Sequence, residues 1–120
     1  MAVIDGSMNA IVSGPTRTAA GDKTVVAKVT NLGTDVLQVC DTDISWAITV
    51  NGTPTTGTVS AKTTGCKTLT PGGSARFRFL WTFGTGEVSP GATVVYTATV
   101  TVAGDVNNAN NSDTETRTAK

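Results

Sequence analysis

The nine residues from Ala75 to Phe83, ARFRFLWTF, alternate more strictly than any other part of the chain. Phe77, Phe79, Trp81 and Phe83 fall on one side of an extended backbone, and Arg76, Arg78 and Thr82 on the other. All 3 phenylalanines and one of the 2 tryptophans lie in this run. A period of two loaded with aromatic residues fits a β-strand with one buried face. Such a strand needs a second apolar layer to pack against, and the remaining runs have to supply it.

They do so with the same period. Val25, Ala27 and Val29 alternate with Lys28 and Thr30 along the run Thr24 to Thr30. Trp46, Ile48 and Val50 alternate with Ser45, Ala47 and Thr49. Val94, Tyr96, Ala98, Val100 and Val102 alternate with threonines in the run Thr93 to Val102. Turn signals separate the runs: Gly14-Pro15, Asn31-Leu32-Gly33, Asn51-Gly52, Pro71-Gly72-Gly73 and Ser89-Pro90-Gly91. Asn51-Gly52 marks a hairpin, with Thr55 to Ser60 as its expected returning strand. Met8 to Ser13, the short piece Val36 to Val39, and the polar run Ser112 to Ala119 complete the set, the last as an edge strand. Threonine is the commonest residue while leucine and glutamate are scarce, which suits strands over helices. The expectation is all-β: an immunoglobulin-like antiparallel β-sandwich of about seven strands, forming a single domain over 1–120 with 1–7 as an N-terminal arm. Trp46 stands where such folds keep a core tryptophan, and Tyr96 is a candidate tyrosine corner.

Lys+Arg is 9 and Asp+Glu is 9, a net charge of +0. No basic excess exists to drive nucleic-acid binding, and no polybasic segment to hold an anionic membrane. The chain has 0 histidines. That removes Ser-His-Asp and Cys-His nucleophiles and most catalytic zinc sites, so the expectation is a non-enzyme. The stretch MAVIDGSMNAIV carries no signal-peptide pattern. Cys40 and Cys66 are either two buried thiols or one disulfide; their polar surroundings, CDTD and TGCKT, favour the disulfide.

Three motifs occur in order: VVAKVTNLGT at Val25 to Thr34, LTPGGSARFRFLW at Leu69 to Trp81, and YTATVTVAGDVNNANNSDTETRTA at Tyr96 to Ala119. In that order they resemble the CARDB-type domain (cell adhesion related domain of bacteria) and the related conserved-repeat surface domains. The resemblance spans about Val12 to Ala119. It implies an immunoglobulin-like sandwich without catalytic residues, used as a module of secreted or surface proteins.

Within GDVNNANNSD, Asp105, Asn107 and Asn110 offer oxygen ligands of the kind Ca²⁺ takes. The same side chains also cap hairpins and tolerate left-handed backbone, and the turn reading is preferred. No other cofactor is expected. Asp41 and Asp43 are a possible second half of a metal site. Arg76 and Arg78 could pair with Asp113 or Glu115. Lys28, at the polar face, is a poor candidate for an isopeptide bond, which needs an apolar triad. Val3, Ile4 and Met8 are expected to pack on a protein partner, either another copy in a homo-oligomer or a capsid, tail or surface-protein neighbour. The first functional expectation is a non-catalytic module displayed on a surface, as a bacteriophage virion accessory protein (capsid decoration or tail). The alternatives are an adhesion or spacer module of a secreted or cell-surface protein, and a small carbohydrate- or calcium-binding domain. The expected location is a virion surface or the extracellular face of a cell.

Overall fold

The computed structural model describes residues 5–11, 21–84, 86–102 and 111–119. The strands are β1 (Gly6–Ile11), β2 (Gly21–Asn31), β3 (Leu37–Cys40), β4 (Ile44–Val50), β5 (Thr53–Pro54), β6 (Thr58–Ala61), β7 (Cys66–Leu69), β8 (Ser74–Phe83), β9 (Thr93–Val100) and β10 (Ser112–Thr118). Two antiparallel four-stranded sheets, β1-β2-β8-β6 and β10-β9-β4-β5, face each other, and β3-β7 forms a separate ribbon. This is the strand arrangement of an immunoglobulin-like sandwich.

The alternation read from the sequence positions the core. Phe77, Phe79, Trp81 and Phe83 of β8, Val25, Ala27 and Val29 of β2, and Val94, Tyr96, Ala98 and Val100 of β9 are all buried. Trp81 meets Tyr96 edge-on across the sheets at 5.7 Å and stacks tilted on Phe83 at 4.5 Å. The core tryptophan is therefore Trp81. Trp46, expected in that place, points inward from β4 but is only half-buried, in edge contact with Phe79 at 6.0 Å. Both residues alternate correctly. What separates them is the cover supplied by the neighbouring strands.

The reason lies just after the hairpin. Asn51 and Gly52 take φ of 50° and 82°, the left-handed pair a tight hairpin needs. Thr53–Pro54 then pairs back on β4, and the Thr55 N–H adds one last bond to the Ile48 carbonyl. Thr58–Ala61, expected as the rest of that returning strand, instead joins β8 in the opposite sheet. Gly57 permits the crossing, because a Cβ there would collide with the Thr82 carbonyl.

The strand β7 had no legible alternation; it pairs with β3 so that Cys40 stands opposite Cys66, and their sulfurs are joined. Asn31 ties this ribbon to the sandwich. Its fully buried side chain donates to the carbonyls of Asp35 (2.7 Å) and Leu69 (2.9 Å) and accepts from the Gly33 N–H (2.9 Å).

The N-terminal expectation needs correction. Met8 is 7% exposed and belongs to this domain's own core, so it is not available to a partner. Gly6 and Ser7 pair with Asn31 and Thr30 as part of β1. Val3 and Ile4 lie outside the described residues. Likewise, the acids thought to face Arg76 and Arg78 are engaged elsewhere. Asp113 accepts the Ala10 N–H at 2.8 Å, and Glu115 pairs with Arg117 at 2.7 Å.

Candidate functional site

Asp105, Asn107 and Asn110 lie outside the described residues. Asp41 and Asp43 form a short 3₁₀ turn and are used locally. Asp43 accepts the Cys40 N–H and Asp41 the Gly65 N–H, each at 2.9 Å, which anchors the disulfide ribbon. Among the described residues, no group of three or more Cys, Asp or Glu side chains could hold a metal ion. Lys28 stands part-exposed on β2 opposite Arg76.

A polar network secures the crossing segment. The Trp81 indole N–H donates to Thr55 Oγ1 at 3.1 Å, and that hydroxyl donates to Glu87. Glu87 also accepts the N–H of Thr56 at 2.9 Å and of Gly84 at 3.4 Å. Burial raises the Glu87 pKa, but hydrogen bonds from Thr55, Thr56, Gly84 and Gly57 outweigh it and hold the carboxyl below its ordinary 4.5. A carboxylate depressed by folding adds stability that is present above its unfolded pKa and is lost as pH falls through the folded value. Glu87→Gln is therefore expected to lower stability at neutral pH by about 1 kcal/mol. The gap from the unsubstituted protein should shrink as pH drops below 4.5 in paired thermal melts.

Where the chain leaves β5, the sandwich stays open. A cavity of about 500 Å³ lies there, bordered by Ile44, Trp46, Ile48, Pro54, Val59 and Phe79, with no charged side chain in its lining. The Trp46 indole nitrogen is buried and has no hydrogen-bond partner among the described residues. No residue pattern announced this cleft. It exists because β5 is two residues long and the next strand belongs to the other sheet.

The two ends of the sandwich can be matched through its core contacts. Trp46, opposite Ala98, packs on Phe79, while Tyr96 packs on Trp81. The Asn31 end of one sheet therefore lies with the Val100 end of the other, and Phe83 lies with Thr93. Asp5 bonds Leu32 at the first end, with its carbonyl accepting at 2.7 Å, and Ala119 bonds Gly91 and Ala92 at the second. The molecule measures 52 × 25 × 21 Å, and Asp5 and Ala119 lie at opposite ends of the stacked strands. Leu32 (54% exposed) and Val36 (61%) are the exposed large apolar residues among those described, both at the Asp5 end.

No protein-family model and no curated protein matches the sequence. Solved structures do match the fold. Spo0M, a sporulation control protein from Bacillus subtilis, superposes with a TM-score of 0.62 at 14% identity over 97% of this chain. The chain spans 49% of Spo0M, about half its length. The CARDB domain of the PF1109 protein from Pyrococcus furiosus, solved in complex with di-metal ions, gives 0.57 at 21% identity over 98% of this chain and 94% of that one. A FixG-related protein from Vibrio parahaemolyticus gives 0.50 at 14% identity, covering 96% of each chain. The motifs, the sheet order and these superpositions converge: the chain has a CARDB-like fold.

Proposed function

We propose that this chain is a non-catalytic module of a surface or adhesive assembly, a spacer that carries load between what is joined at its two ends. One observation carries the reading: Asp5 and Ala119 lie at opposite ends of the stacked strands of the sandwich. A pull between those ends draws β1 along β2 and β10 along β9. It loads both ladders lengthwise, so that many hydrogen bonds must break together. β1 and β10 are also tied to each other, through the Ala10 N–H and Asp113. Exposed Leu32 and Val36, beside Asp5, would abut whatever is attached there.

The disulfide suits an oxidising exterior. Spo0M, the PF1109 domain and the FixG-related protein lend the virion expectation no support, so the surface is left general. Asp105, Asn107 and Asn110 are read as residues of the last hairpin, although the PF1109 domain was solved with metal ions. Pulling single molecules by their two ends tests the spacer reading, with the comparison set out at the close of the Discussion.

A further inference from the structure

We propose that the open edge of β4 is a docking site for an extended segment of a partner protein, which adds as a strand beside Ile44–Ile48 and seats an apolar side chain in the cleft. This inference rests on the reading of the chain as a non-catalytic module of an assembly, and it names the surface and the chemistry of one contact.

The hydrogen-bond pattern exposes the edge. Asn51 donates to the Thr93 carbonyl, and Thr101 donates to that of Asp43, each at 2.8 Å. Odd-numbered residues of β4 therefore bond β9, and even-numbered ones turn outward. Ile48 uses its outward carbonyl to accept the Thr55 N–H at 2.8 Å. Beyond that point β5 has ended, and the outward N–H and C=O of Trp46 have no partner among the described residues. On the facing sheet the Lys62 N–H reaches Arg78, so Val59 and Ala61 present their backbone to the same opening.

Natural sheets protect such edges with charge, proline or a cover. The opposite side of this sandwich shows that protection. The outward amide of Ala10 on β1 is capped by Asp113, and β10 carries Asp113, Glu115 and Arg117. On the open side, ISWAITV of β4 and TVSA of β6 hold no charge, and Pro54 protects only the two-residue β5. The occupant is specified by the same chemistry. Unpaired backbone groups ask for an extended backbone, and an uncharged lining of Ile44, Trp46, Val59 and Phe79 asks for a neutral apolar side chain. The partnerless Trp46 indole N–H asks for an acceptor, which a peptide carbonyl provides. Sugar sites usually add planar amide or charged side chains to an aromatic one, and here the lining beyond the Trp46 indole N–H offers hydroxyls only.

The probe is a phage-displayed library of linear twelve-residue peptides panned on the intact protein. Enriched peptides are expected to alternate apolar and polar residues, with no charge at the apolar positions. When one is synthesised and bound, the Trp46 amide should gain protection from hydrogen exchange and the Trp46 indole N–H resonance should shift. Val59→Lys, which places a charge in the cleft, should weaken binding about tenfold or more, while Ser60→Lys on the outer face should change it less than about twofold. Thermal melts check that both variants fold, and the exchange measurement on the unsubstituted protein stands even if Val59→Lys does not. No enrichment, or binding without protection at Trp46, overturns the proposal. So does a dimer in solution that buries this edge, since the occupant would then be a second copy. None of these outcomes bears on the pulling experiment, so the two proposals fail separately.

Discussion

Trp81→Ala is expected to lower stability by about 3 to 5 kcal/mol, a large share of what a domain of this size possesses. Trp81 is 0% exposed, packs on Phe83 and Tyr96, and hands its indole N–H to Thr55. Its removal opens a cavity between the sheets and also releases the hydroxyl that steadies Glu87. The melting temperature should fall by about 10 to 20 °C. Trp46→Ala is the matched comparison, with the same chemistry removed from a half-buried site beside an existing cleft. It should cost only about 1 kcal/mol, because the lost side chain leaves little new void. Equal losses in urea melts of the two variants would show that the sandwich is closed at Trp46 after all.

The second large effect is expected at the ribbon. Cys40 and Cys66 close a loop over a sequence separation of 26 residues. In the chain-entropy model such a cross-link stabilises by about 3 to 4 kcal/mol, so the double substitution to serine should lower the melting temperature by about 10 °C. The same shift should appear on reducing the unsubstituted protein and be absent on reducing the variant. Intact mass under non-reducing conditions checks the bond itself, and two free thiols there would refute it. Asn31 makes the consequence reach the sandwich, since it bonds Leu69 of β7 from the end of β2. The ends of β2 and β8 should therefore lose exchange protection along with the ribbon.

The strands that make the core were legible because alternation is a local property. Val25 to Val29, Phe77 to Phe83 and Val94 to Val100 each announce a buried face without reference to anything distant. The features that went unread all depend on a second, remote segment. Thr58–Ala61 changes sheets because Gly57 fits under the Thr82 carbonyl, a contact no hairpin rule contains. Cys66–Leu69 is short and polar, and becomes a strand only opposite Leu37–Cys40. Trp46 and Trp81 carry the same pattern and differ only in their cover. Met8 read as surplus hydrophobicity because the depth of β1 in the sandwich depends on its pairing with β2. The cleft is the extreme case, being a consequence of where a strand stops. The stretch Gly104 to Asp113 contributed most as part of an ordered set of motifs that resembles a family, and its Asp113 proved to cap the edge of β1.

That the chain carries force between its two ends is the claim on which the functional reading stands, and force spectroscopy tests it most directly. Molecules held at the two chain ends should resist and then unfold in one abrupt event, because β1 and β10 are sheared along their neighbours. Molecules held at Asn51 and Ala119, which lie at the same end, should yield at clearly lower force as β10 peels from β9 one pair at a time. Equal forces in the two geometries, or gradual low-force extension under end-to-end pulling, would contradict the spacer reading.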